Sequence, residues 1–114
     1  MQVHVHADRQ IQGGESLAHW VEQETLQRLA RFREQVTRIE VFLSDENASK
    51  PGDKRCRMEA RPAGLPPVTV TATADKVADA FTSATEKLQR ALEADIGRGK
   101  NHKGSDTIRT ADGG

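Results

Sequence analysis

The sequence has a single cysteine, Cys56. No disulfide can form within the chain, so a small scaffold stapled by internal disulfides is excluded. It also lacks any apolar run near the roughly 20 residues that a membrane-crossing helix needs. The amino terminus, Met1-Gln2-Val3-His4-Val5-His6, has no basic stretch leading into an apolar one. Its alternating polarity predicts a strand rather than a signal peptide, and a reducing, cytoplasmic setting is expected. An excess of charge of one sign is missing too. Seventeen Lys and Arg residues against seventeen Asp and Glu give a formal net charge of +0. A surface cationic throughout, the simplest way to bind nucleic acid or a membrane, is thereby excluded.

What remains is one domain's worth of chain, 114 residues with 35% hydrophobic and 30% charged residues. Its mean hydropathy of −0.70 is polar, without the high net charge that accompanies disorder. A single modest core is feasible at this size.

The hydrophobic period changes along the chain in an ordered way. Val3, Val5 and Ala7 alternate with polar neighbours, the pattern of a half-buried strand. Gly13-Gly14 breaks the chain, and Ser16 is the expected cap of a helix whose face carries Leu17, Val21, Leu29 and Phe32, with Trp20 and Leu26 at its flanks. Arg31 and Arg33 are expected in the last turn of that helix. Period two returns at Ile39, Val41 and Leu43, followed by an expected loop from Ser44 to Asp53. A third strand has Cys56, Met58 and Ala60 facing inward, and a fourth has Val68, Val70, Ala72 and Ala74. Asp75 is placed to cap a second helix with an apolar stripe through Val77, Phe81, Ala84, Leu88, Leu92 and Ile96, ending at Gly97 and Gly99.

The order is β-α-β-β-β-α. A right-handed crossover should make the first two strands parallel, and the rest can follow as an antiparallel meander. The predicted fold class is α+β: a two-layer sandwich of a four-stranded mixed sheet with two helices on one face and the other face open to water. Residues 1–98 form the expected domain, and residues 99–114 a flexible carboxy-terminal tail.

Chemistry at a site finds little support. His4 and His6 share a strand face, but no third ligand falls on that face by pattern, and Cys56 belongs to the inner one. No metal, no cofactor and no catalytic residue is assigned. Gly97-Arg98-Gly99-Lys100 lacks the spacing, the Ser or Thr and the preceding strand of a phosphate loop.

The cations form a more definite pattern. Between Lys50 and Arg61 stand Lys50, Lys54, Arg55, Arg57 and Arg61 against Asp53 and Glu59. Alternation puts Arg55, Arg57 and Arg61 on the solvent face of the third strand beside Arg38, with Phe42 as a neighbouring aromatic surface. Such an array suits a phosphate backbone with an unpaired base stacked nearby. On pattern alone, a solvated face in which Glu40 and Glu59 pair with the arginines fits slightly better. On the second helix, acids and bases are mixed in equal numbers, as on an ordinary water-facing helix.

Several segments resemble the ribosome hibernation-promoting factor and ribosome-associated translation inhibitor family in its short form. They are the opening Met1-Gln2-Val3, Trp20-Val21 and Leu29-Ala30-Arg31-Phe32 of the first helix, Val41-Phe42-Leu43-Ser44-Asp45-Glu46-Asn47, Gly52-Asp53-Lys54-Arg55-Cys56-Arg57-Met58-Glu59, and Ala74-Asp75-Lys76-Val77-Ala78-Asp79-Ala80-Phe81 with Glu86-Lys87-Leu88-Gln89-Arg90. The likeness runs from about Met1 to Arg98. It implies a protein that binds the small ribosomal subunit and its 16S rRNA in the mRNA and tRNA channel, blocks translation or protects idle ribosomes, and performs no reaction. By matching position it implies RNA contacts from Arg9, Arg28, Arg31, Lys54, Arg55, Arg57, Lys87 and Arg90, with no DNA or membrane partner. The chain departs from the family at Asp8-Arg9, where a glycine-arginine step is common. It departs again at Val77, which replaces a tyrosine, and in the acids Glu93 and Asp95 near the end of the second helix. The alternative is a protein-protein module of the same fold, using the Thr69-Thr71-Thr73 strand as a sheet edge. A weaker third reading is a metal-dependent enzyme built on His4 and His6.

Overall fold

The computed structural model describes residues 1–9, 11–45 and 53–105, with side chains to residue 97. The elements are β1 (Gln2–Ala7), α1 (Gly14–Arg28), a 3₁₀ turn at Ala30–Phe32, β2 (Val36–Asp45), β3 (Lys54–Pro62), β4 (Val68–Ala74) and α2 (Val77–Ser105). They build a four-stranded mixed sheet in the order β1-β2-β3-β4, with both helices on one face. This is the α+β sandwich that the alternating periods predict.

β1 pairs with β2 in parallel, and β2-β3-β4 is an antiparallel meander. Because the side-chain period of every strand is two, the register gathers the apolar residues into rows on one face. Val5, Val41, Met58 and Val70 form one row, and Val3, Ile39, Ala60 and Val68 another. Phe81, Ala84, Leu88 and Leu92 of α2, with Val21 of α1 and Leu29, close over them and are fully buried. Trp20 of α1 packs edge-on against Phe81, 5.5 Å between ring centroids, and so joins the two helices. The two buried threonines, Thr25 and Thr85, donate their hydroxyls to the carbonyls of Val21 and Phe81 one turn earlier, which satisfies them inside the core.

Five boundaries differ from the sequence expectation. Asp75 stands one residue too early to cap α2, which begins at Val77 with Ala80 N–H closing the first turn on Lys76 C=O. Ser16 does not cap α1. Gly13, at φ 119°, and Gly14, at φ 53°, turn the chain into the helix earlier, and Leu17 N–H closes the first turn on Gly13 C=O. A Cβ on Gly13 would lie 2.7 Å from that of Leu17, so the site needs glycine on both conformational and steric grounds.

α1 stops at Arg28, and the 3₁₀ turn carries Phe32 into the core. Arg31 therefore sits in that turn and Arg33 beyond it rather than in the last turn of the helix. Ser44 and Asp45 extend β2, paired with Arg55 and Lys54, rather than opening the loop. Finally, α2 runs through Gly97 and Gly99 to Ser105. Gly97 has no positive φ, and a glycine within a helix costs only about 1 kcal/mol, too little to stop it here. Lys50 and residues 106–114 of the expected tail lie outside the described residues.

Candidate nucleic-acid interface

The face of the sheet turned away from the helices carries two kinds of cross-strand row. His6, Phe42, Arg57 and Thr71 stand side by side on the four strands, and His4, Glu40, Glu59 and Thr69 form the next row. Arg38 and Arg61 are partners beyond them, and Arg55 lies opposite Ser44 and Thr73 on the other side. The alternation that buries Cys56, Met58 and Ala60 is what turns Arg55, Arg57 and Arg61 outward, as the sequence pattern predicts.

The first row is a stack. The His6 ring lies nearly parallel to Phe42, 15° between planes and 4.8 Å between centroids. From the other side, the Arg57 guanidinium sits 4.3 Å from the Phe42 centroid. That distance is within the range of a cation–π contact.

The carboxylates of the second row are held by cations. His6 Nε2 is 2.6 Å from Glu40 Oε1, and Arg38 Nε is 3.2 Å from Glu40 Oε2. The hydrogen bond from His6 holds the Glu40 carboxyl below the ordinary carboxylate value. The charges of Arg38, His6 and His4 add to this, against an opposing effect of burial. Glu59 meets Arg61 at 3.7 Å. The glutamates thus pair with arginines, as the solvated-face reading expects, and Phe42, expected as a neighbouring aromatic surface, is already in contact with His6 and Arg57.

Other cations named from the sequence have their own partners. Lys54 Nζ lies 3.1 Å from the buried carboxylate of Asp45, across the end of the β2-β3 pair. Lys87 reaches from α2 to β4 and donates to the Thr71 carbonyl at 2.8 Å. Arg28 pairs with Glu24 one turn back at 3.0 Å, and Arg31 pairs with Glu93 of α2. Gln89 Nε2 donates to the Arg28 carbonyl at 3.0 Å, so Arg28 and Arg31 meet α2 at neighbouring turns, one residue from Arg90. Arg9 and Arg90 are exposed. The eight cations therefore fall into separate groups: Arg55 and Arg57 on the open face, Lys54 at its end, Lys87 at the β4 edge, and Arg28, Arg31 and Arg90 where the helices meet, with Arg9 after β1.

Two contacts lie beyond what the sequence pattern predicts. The parallel register of β1 with β2 sets His6, a candidate metal ligand by pattern, against Phe42. Lys87, expected on a water-facing helix or at an RNA contact, bonds to the β4 backbone. The metal reading gains nothing from the geometry. Among the described residues no group of three or more His, Cys, Asp or Glu side chains could hold an ion. Burial pushes the Cys56 thiol up to about 12, which suits a core residue and not a nucleophile.

Two solved structures share the fold. A ribosomal subunit interface protein from Coxiella burnetii superposes with a TM-score of 0.68 at 14% identity, over 85% of this chain and 99% of that one. The Protein Y N-terminal domain of Thermus thermophilus gives 0.65 at 20% identity, over 82% and 98%. A search of curated proteins finds no match. The family model described as "Sigma 54 modulation protein / S30EA ribosomal protein" matches residues 3–100, which is nearly all of the folded chain, and this protein belongs to that family.

Proposed function

We propose that the protein associates with the ribosome, binds the small subunit through 16S rRNA in the channel used by mRNA and tRNA, and so inhibits translation or protects idle ribosomes. The observation that carries this reading is the family match over residues 3–100. The chain acts by occupying space and needs no reaction to do so. Arginine and lysine side chains release condensed counterions when they meet phosphates, and arginine can fork onto two phosphate oxygens. Arg9, Arg28, Arg31, Lys54, Arg55, Arg57, Lys87 and Arg90 are the cations proposed to make these contacts. Among them Arg28, Arg31, Lys54 and Lys87 exchange an internal partner for a phosphate.

The zero net charge sets the strength of the interaction. With Glu93 and Asp95 near the cations of α2, fewer phosphates are neutralised per molecule, and salt should weaken binding less steeply than for a strongly basic ligand. Co-sedimentation with purified small subunits at low and raised salt tests the proposal. Salt-sensitive pelleting, lost in the combined variant R55E/R57E/K87E/R90E, is the expected result. Absence of pelleting at low salt would overturn it.

A further inference from the structure

On the open face of the sheet, three facts converge at His6. Its ring lies flat on Phe42, which itself rests against Arg57. Its Nε2 is tied to Glu40 at 2.6 Å, so the ring plane is fixed by two contacts. Among the described residues β1 is an edge strand, and the His6 side chain is 53% exposed, so the ring face turned away from Phe42 has no described strand beside it. We propose that this outer face of His6 is a stacking site for an unpaired nucleobase. The base would extend the His6-Phe42-Arg57 stack by one member, with the flanking phosphates of a single-stranded RNA along Arg38, Arg57 and Arg61.

Charge selects RNA over an acidic or neutral protein edge as the occupant. Each glutamate on this face is covered by the cation paired with it. The Arg38 and Arg61 side chains are 42% and 45% exposed, against 16% for Glu40 and 25% for Glu59. An approaching polyanion meets guanidinium groups first, with the carboxylates beneath them. Every base has a π-face, so a single aromatic platform of this kind accepts any base, and purines gain most from it. The side-chain ordering that stacking needs is already present in the free protein, because Phe42 and Glu40 hold the imidazole in place.

The site deepens the ribosomal reading, since RNA is the partner in both, yet it can be measured without ribosomes. The probe is a fluorescein-labelled adenosine decamer, with a second decamer carrying one abasic position at its centre as control. Anisotropy titrations are made with the wild type, His6→Ala and His6→Phe. The exposed position makes both variants compatible with the fold, and far-UV circular dichroism checks this.

Loss of the platform should weaken decamer binding about tenfold in His6→Ala, while His6→Phe, which keeps a ring but not the bond to Glu40, should bind within about threefold of the wild type. The His6 ring protons should move upfield when the decamer binds, as ring currents of a stacked base require. Equal affinity of wild type and His6→Ala, or an unmoved His6 resonance at saturation, would overturn the stacking site. Co-sedimentation separates the two readings. His6-dependent decamer binding without pelleting leaves the stacking site standing and the ribosomal reading overturned. Pelleting with decamer binding indifferent to His6 does the reverse.

Discussion

The Lys87 ammonium of α2 donates a 2.8 Å hydrogen bond to the Thr71 carbonyl of β4, the outermost strand on its side of the sheet. An edge strand offers unpaired backbone groups to any other strand that approaches, and a lysine placed over it is one of the devices that discourage such pairing. The contact therefore works against the alternative in which the threonine-rich β4 recruits a partner strand. Lys87→Met should cost about 1 kcal/mol or less in urea unfolding, as expected for one exposed hydrogen bond. It should also raise the fraction of dimer seen by analytical ultracentrifugation. A monomer at all concentrations would show that Lys87 does not guard the edge.

Lys54 has a heavier structural duty. Its partner Asp45 is buried, with its side chain only 4% exposed, so removing the lysine leaves a carboxylate without its counter-charge. Lys54→Met should destabilise the protein by about 2–3 kcal/mol. Adding Asp45→Asn to it should recover part of the loss. If Lys54→Met unfolds at the wild-type urea midpoint, the ion pair contributes nothing to the end of the β2-β3 ladder.

Glu40 makes stability depend on pH in one direction. Its folded-state value is lowered, so the ionised form is favoured by folding, and the gain is present above the ordinary carboxylate value of 4.5. It is lost as the pH falls through the lowered folded value. In urea unfolding, wild type should exceed Glu40→Gln at neutral pH, and the two should converge below pH 4.5. Parallel curves across that range would exclude the carboxylate as the source.

The Cys56 thiol, fully buried and pushed up to about 12, should resist alkylation. Iodoacetamide at pH 8 should label it only in denaturant, with the extent followed by intact mass. Rapid labelling of the native protein would mean that β3 opens far more readily than its central position suggests.

Phe81 lies at the meeting point of α2, the sheet and Trp20. Phe81→Ala should cost about 4 kcal/mol. Trp20 is the only tryptophan and touches Phe81, so its fluorescence should shift in the native state of this variant as well as on unfolding. An unchanged native spectrum would contradict the edge-on contact.

The strands were readable because each buries one side. Cys56, Met58 and Ala60 alternating with Arg55, Arg57 and Glu59 leave only one register compatible with a core. The helix boundaries were harder. Ser16 is a good capping residue type, but Gly13 and Gly14 reach conformations that let the helix begin before it, and residue preference at a cap is weaker than backbone freedom. At the other end, Gly97 and Gly99 suggest a stop only if nothing else favours the helix. At the candidate site, alternation showed which side chains face water but not which of them touch. The His6-Phe42 contact depends on the offset between β1 and β2, which pairs Gln2 with Arg38, and no local pattern states that offset. Lys87 and Lys54 likewise look like free surface charges until their backbone and carboxylate partners are seen.

The parallel pairing of β1 with β2 also fixes a sequence of events in time. His6 and Glu40, bonded to each other, are 34 residues apart, whereas β2, β3 and β4 are successive strands of a meander. During synthesis β1 emerges before β2 and cannot take its place in the sheet until α1 and the whole of β2 have followed. Pairing across that interval closes a long loop and is slower than closing the meander. The histidine that completes the stack is thus made early and seated late. A nascent chain held before β2 is complete carries the His6 ring without the two side chains that orient it.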